Sequence, residues 1–255
     1  MRLLEEPRTR GMDLDGLETS IRRRELSKSK RALNLSYINW YRKLAEIDKT
    51  APSGLRVELG SGGGFLEEFI PGLVTTDVLP LPFVQKVCSA EELPFENGTV
   101  AAIYMINVLH HVADVERFFA EAQRVLVAGG LVAMIEPYVS PFSKFVWTLV
   151  HHEPFDMTPR SWRLTPSGPL SGGNDALPWI IFARDRFIYD ARYPDLRVER
   201  IVPHTFLSHL LSGGVTMRSF VSPFVIRLCQ KMEERLGAIL PYVGVFGTIV
   251  LRKRR

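Results

Sequence analysis

The sequence predicts an α/β protein built on a doubly wound parallel sheet, and three observations carry that expectation. Leu55, Val57 and Leu59 lead into Gly60, Gly62 and Gly64, after which Phe65, Leu66, Phe69 and Ile70 recur at helical spacing. That is the pattern of strand, tight glycine turn and helix. From residue 73 to residue 135, short apolar runs alternate with amphipathic stretches, which implies parallel strands joined by right-handed crossovers. Residues 100–106, Val-Ala-Ala-Ile-Tyr-Met-Ile, are apolar throughout, so that strand is expected to be covered on both faces.

The elements follow in order. Residues 1–15 read as irregular, and 16–48 as one basic amphipathic helical stretch whose Leu35, Ile38, Trp40, Tyr41, Leu44 and Ile47 pack on the core. Ala51-Pro52-Ser53-Gly54 breaks the chain before the first strand. Strands are expected at 55–59, 73–77, 84–87, 100–106 and 130–135, with a helix over 114–125. From Tyr138 to about Pro194 the periodicity is lost, and this long stretch leaves the carboxyl end of a strand, so it reads as an insertion over the substrate. A strand at 196–202, helices at 205–211 and 223–240, a turn at 241–244 and a strand at 245–251 complete the sheet. The expected organisation is a helical cap (1–50), a core that binds a small molecule (51–137), an insertion (138–195) and a C-terminal completion of the sheet (196–255).

Composition narrows the function classes. The chain has 255 residues, 46% apolar and 24% charged, the balance of an ordinary globular protein. Cys88 and Cys229 are far apart and match no metal spacing, so they are read as reduced thiols of a cytosolic protein. The first residues lack the apolar segment of a secretory signal. The uncharged stretch 236–251 is short and broken by Gly237, Pro241, Gly244 and Gly247, which argues against a membrane span. The net charge of +4 is uneven: Arg22, Arg23, Arg24, Lys28, Lys30 and Arg31 cluster near the start, and Arg252 to Arg255 close the chain. A solvated face is the plain reading; attraction to an anionic substrate or to a membrane surface, as a peripheral contact, is the functional one. Nucleic acid is the weakest candidate partner, because no recognition module accompanies the charges.

Asp77 stands at the expected end of the second strand, where a carboxylate can accept from both hydroxyls of a ribose. After it come Ala90-Glu91-Glu92-Leu93-Pro94-Phe95, then Leu109-His110-His111, then Gly129-Gly130. With Glu58-x-Gly60-x-Gly62-x-Gly64 these make four ordered motifs, and in them the chain resembles the class I S-adenosylmethionine-dependent methyltransferases of the type 11-like group. The resemblance covers residues 55–137. It implies a Rossmann-like sheet closed by an antiparallel last strand, which Gly244 to Leu251 resembles, and S-adenosylmethionine as cofactor. Glu58, Gly60, Ser61, Gly62 and Gly64 would then cradle the methionine part and Asp77 with Val78 the ribose. Ser89, Ala90 and Glu91 would border the adenine, and Asn107 would complete the cofactor site. Two positions depart from the group's pattern: Ser89 and Ala101 stand where it commonly has aspartates. A serine hydroxyl accepts from an adenine amino group more weakly than a carboxylate does.

Methyl transfer to a hydroxyl needs a base, and histidine suits that role near neutral pH. His110 and His111 follow the fourth strand and are the candidates, each weighed against a purely structural role as a cap or carbonyl partner. His151, His152 and His204 are alternatives. Tyr138, after Glu136-Pro137, is expected to line the substrate pocket. No His, Cys and carboxylate spacing suits a metal, so the reaction is expected to be metal-independent. The aromatic insertion and the apolar stretch 220–228 suggest a bulky acceptor. Thr205 to Gly214 resembles a stretch in methyltransferase-like proteins of bacterial surface-polysaccharide synthesis. The expected acceptor is therefore a sugar, a lipid-linked glycan or a lipophilic small molecule. A non-catalytic cofactor-binding partner protein is the alternative from another class. A nucleic-acid methyltransferase is less favoured, because the Asn/Asp-Pro-Pro-Tyr/Phe tetrapeptides of amino-methylation do not occur.

Overall fold

A computed structural model describes residues 5–13, 15–149, 154–165, 168, 170–219 and 221–254. The chain enters through two helices, α1 (Leu17–Ser29) and α2 (Arg31–Asp48), and then builds β1 (Leu55–Leu59), β2 (Leu73–Asp77), β3 (Lys86–Val87) and β4 (Val100–Ile106). Helix α3 (Val115–Val125) leads into β5 (Leu126–Pro137). Then come α4 (Pro141–Leu149), α5 (Leu177–Trp179), α6 (Arg186–Arg192), β6 (Leu196–His204), α7 (Ser208–Ser212), α8 (Pro223–Arg235), α9 (Leu240–Val243) and β7 (Phe246–Lys253). The seven strands form one sheet in the order β3-β2-β1-β4-β5-β7-β6. Strands β1 to β5 pair in parallel, while β7 runs antiparallel to both β5 and β6, as expected of the last strand. The order reverses between β1 and β4, which opens a crevice at their carboxyl ends.

Strict alternation along the central strands sends side chains to two cores. Ile103 and Met105 of β4 and Val132 and Met134 of β5 join Phe118, Phe119, Ile180, Ile181 and Tyr189 on one face. Ala102, Tyr104, Leu131, Ala133 and Ile135 meet Trp40, Tyr41, Leu44 and Trp147 on the other. Each large apolar side chain so buried contributes about 1.5–3 kcal/mol.

Four expectations need correction. The stretch 16–48 is two helices, because Lys30 takes an extended conformation and its ammonium, pushed down to about 8 by burial, donates to the carbonyls of Gly214 and Met217. The helix expected after the glycines is one 3-10 turn, Leu66–Glu68. Its apolar residues do face the core, but α2 supplies the covering layer: Tyr41 packs edge-on against Phe65 at 4.8 Å. The region 138–194, to which the lost periodicity assigned no element, carries α4, α5 and α6. The expected helix 223–240 ends at Arg235, and the turn at 241–244 is the short helix α9.

Most of the terminal charge belongs to the fold. Arg24 and Lys28 pair with Glu67 and Glu68, Arg252 donates to the Gly129 carbonyl and Lys253 to those of Gln123 and Leu126. Among the described residues no helix is long and apolar enough to cross a membrane.

Candidate functional site

A cavity of about 690 Å³ occupies the crevice at the carboxyl ends of β1 and β4. Glu58, next to last in β1, is buried, and its carboxyl, pushed up to about 8 by that burial, accepts the Ser61 hydroxyl at 2.8 Å. Gly60 must be glycine on two counts: its φ is +64°, and a Cβ there would sit 2.5 Å from Val108 Cγ2. Gly63, which the sequence reading did not single out, lets α1 close on the loop, since a Cβ would lie 2.8 Å from the Arg24 nitrogen. Helix α1 then clamps the loop from outside: Ser27 donates to the Gly63 carbonyl at 2.8 Å and Arg24 to that of Gly64.

Asp77, at the tip of β2, accepts Gly62 N–H at 2.8 Å through one oxygen and Leu79 N–H at 2.9 Å through the other. Burial raises its carboxyl, and those backbone donors pull the other way. Val78, Ser89, Ala90 and Glu91 line the same end of the cavity. Ser89 and Glu91 are, however, engaged in the turn they build: the Ser89 hydroxyl accepts Glu91 N–H at 3.1 Å and Glu91 accepts Asp114 N–H at 2.9 Å. Asn107 follows β4 with φ +56°, and its buried Oδ1 has no hydrogen-bond partner. A non-glycine residue held in the left-handed region beside an unsatisfied acceptor marks a place where a donor is missing.

His110 and His111 both line the cavity, with ring centroids 4.2 Å apart. His110 Nδ1 lies 2.6 Å from Glu136 Oε2, and Nε2 lies 3.6 Å from Asp175 Oδ1. All three residues are buried. The other Glu136 oxygen accepts the N–H groups of Val108 and Leu109, so this carboxylate braces the whole turn after β4. Asp175 reaches the site from the insertion, where its own N–H donates to the Pro154 carbonyl. The insertion is tied across the cavity to the N-terminal segment, because Asp15 accepts Leu170 N–H and the Ser171 hydroxyl, both at 2.7 Å.

Tyr138 does not line the cavity. Its N–H donates to the Val245 carbonyl, and its ring lies over Gly247 on β7, 3.2 Å from where a Cβ would stand. His204 is likewise set aside: it is buried between Thr205 and Thr248, with burial pushing it down to about 3. His151 and His152 lie outside the described residues. The fourth-strand substitution is also explained, since Ala101 is fully buried and packs 3.1 Å from the Cβ position of Gly54.

Sequence reasoning missed Glu136, Asp175 and His209. Glu136 was within reach, as an acid at the carboxyl end of a parallel strand. His209 lines the cavity and stacks on Trp40 at 4.8 Å, on a helix too short for periodicity to reveal. Nothing in the sequence around Asp175 pointed to the site. Among the described residues no group of three or more His, Cys, Asp or Glu is arranged to hold a metal ion.

Comparison with known proteins gives a consistent picture. Residues 72–134 match a family described as a methyltransferase domain. Among solved structures the chain is similar to an S-adenosylmethionine-dependent methyltransferase of Thermotoga maritima, with 14% identity over 94% of this chain and 100% of that one, at a TM-score of 0.54. It is also similar to an S-adenosylmethionine-dependent methyltransferase of Archaeoglobus fulgidus, with 16% identity over 85% of this chain and 94% of that one, at a TM-score of 0.49. No relative was found among the curated proteins. Residues 72–134 thus carry the match to a methyltransferase domain, and the likeness of the whole chain to the Thermotoga maritima structure is one of fold.

Proposed function

We propose that the protein methylates a hydroxyl of a lipophilic or lipid-linked acceptor, with His110 as the base. The observation that carries this reading is the 2.6 Å bond between His110 Nδ1 and Glu136, in the wall of a cavity whose other half is aromatic and aliphatic. That half includes Tyr37, Phe142, Phe145, Trp147, Leu210 and Met217. Its chemistry suits a lipophilic small molecule or the lipid part of a glycan lipid more than a free sugar.

The polar half fits the cofactor. The orphaned Asn107 Oδ1 offers an acceptor, Asp77 closes the end of β2 where a ribose would lie, and the side-chain-free Gly60 lets a ligand approach the backbone. The bound cofactor supplies an electrophilic methyl group on a sulfonium. The loop 60–64, held by Asp77 and clamped by α1, would hold the cofactor in place, and in-line alignment would be the larger part of the catalysis. Glu136 keeps the His110 proton on Nδ1, which leaves the lone pair on Nε2, the nitrogen that lies 3.6 Å from Asp175 Oδ1. His110 Nε2 would take the proton that an acceptor hydroxyl gives up, and the two flanking carboxylates would stabilise the imidazolium so formed.

Calorimetric titration with S-adenosylmethionine and S-adenosylhomocysteine, followed by labelled methyl transfer to lipid-linked glycans, lipophilic alcohols and free sugars, tests the reading. Transfer to a lipophilic hydroxyl that is lost in His110→Ala with cofactor affinity retained is the expected result. Transfer only to amines or free sugars, or undiminished transfer by the variant, would overturn it.

A further inference from the structure

We propose that the outward face of α8, with the exposed apolar side chains of α9 and α4, docks the protein on an anionic lipid bilayer at the mouth of the cavity. Helix α8 is inverted relative to an ordinary surface helix. It buries only Ile226 and Glu233, while Phe224 is 74% exposed, Leu228 58% exposed and Met232 also open to solvent. Spacing of four places these three in one stripe. The helix does not need that stripe for its own packing, because it is held from behind by polar contacts. Glu233 accepts the N–H groups of Phe206, Leu207 and Ser208 together with the Ser208 hydroxyl, and Gln230 donates to the Leu35 carbonyl at 3.1 Å.

Cations are interleaved with the stripe. Lys231 and Arg235 fall within the same arc and Arg227 on its flank, all exposed. Glu234, at the edge, is the one exposed acid of the helix. Among the described residues none of the three cations has an ion pair or hydrogen bond. Apolar side chains standing among unpaired cations match the boundary between acyl chains and anionic headgroups. A second copy of the chain is the poorer occupant, since a two-fold interface would set like charges against one another.

The stripe is continued along the chain. Helix α8 runs on into α9, where Ile239 and Tyr242 are exposed, and α9 packs against α4, where Phe145 and Leu149 are exposed. Phe145 belongs to both surfaces: it is 59% exposed and it lines the cavity. An acceptor held in the bilayer would therefore reach the site past Phe145 without crossing water. Only this last step rests on the acceptor reading above.

The test is flotation of the full chain with phosphatidylcholine vesicles and with vesicles containing a third phosphatidylglycerol, at low and high salt. The expected result is binding to the anionic vesicles at low salt, weakened about thirtyfold in Lys231→Ala/Arg235→Ala and abolished in Phe224→Ser/Leu228→Ser. A Phe224→Trp variant is expected to shift its emission to the blue on anionic vesicles. Cofactor titration and light scattering on the same preparations show whether each variant is folded and monomeric. No vesicle binding by the wild type at low salt would overturn the proposal. So would wild-type binding by the serine variant, or a dimer that the α8 substitutions dissociate. Vesicle binding is read without methyl transfer, so its failure leaves the acceptor reading standing, and failed transfer leaves the docking face standing.

Discussion

His110 and Glu136 are joined by a 2.6 Å bond that links the turn after β4 to the end of β5, and the same carboxylate holds the N–H groups of Val108 and Leu109. One side chain therefore fixes both the backbone that presents the histidine and the ring nitrogen that carries its proton.

Replacing that carboxylate by an amide separates the two jobs. In Glu136→Gln the amide oxygen can still accept Val108 and Leu109, while the amide nitrogen faces His110 Nδ1 and drives the ring proton to Nε2. Methyl transfer should fall by about 10²–10⁴ with cofactor affinity changed only a few-fold. Nitrogen-15 NMR of the imidazole should report the exchanged tautomer. An unchanged rate with an exchanged tautomer would remove His110 from the chemistry.

Gly60 makes a prediction with an internal control. Gly60→Ala meets a φ of +64° and a methyl contact at 2.5 Å with Val108. The strain at a left-handed alanine is about 1–3 kcal/mol, and the clash comes in addition. Cofactor binding should be lost in Gly60→Ala, and Gly60→Ala/Val108→Ala should recover part of the stability in urea unfolding, because it relieves the contact but not the dihedral.

These residues also show what the sequence could reveal. The glycine loop was legible because backbone conformation and close approach leave glycine almost no substitute. Asp77 was legible because a parallel strand delivers its last residue to the crevice. The missing crossover helix was not, since Phe65 to Ile70 have helical spacing but bury themselves under α2 from a single turn. Tyr138 was misplaced because it is the first residue beyond the strand, where alternation no longer says which way a side chain turns. Asp175 could not be found at all: its position depends on the Pro154 carbonyl and on a fold of the insertion that has no period of its own.

Glu58 should shape the stability profile between pH 4.5 and 8. Its carboxyl has an ordinary value of 4.5 and is pushed up to about 8 in the fold, first by burial. The folded chain thus binds more protons than the unfolded one between those values, and stability falls as pH rises through that window. Each pH unit is worth about 1.4 kcal/mol. Urea unfolding of Glu58→Gln, whose amide can still accept Ser61, should show no such decline, so that the variant gains on the wild type from pH 4.5 to 8. Parallel profiles for the two proteins would show that the carboxyl is already ionised in the fold.

His204 should act in the opposite sense on the acid side. Trp40 donates to Thr205 Oγ1 at 3.1 Å, so the Thr205 hydroxyl hydrogen is free for His204 Nδ1, and Nε2–H donates to Thr248 at 2.9 Å. The network is complete only with a neutral ring. Protonation would turn Nδ1 into a donor, leave the Thr205 hydrogen without an acceptor, and place a charge in the core. Burial accordingly pushes the ring from 6.5 down to about 3, with Lys43 adding to the effect. A base lowered in the fold lets the unfolded chain bind the extra proton, so stability is full above 6.5 and is lost as pH falls from there towards 3, by about 1.4 kcal/mol per unit. His204→Gln should be less stable than the wild type at neutral pH and should lose this acid dependence. The two unfolding curves should therefore converge as the pH is lowered, and a constant gap between them would show that the ring is charged in the fold.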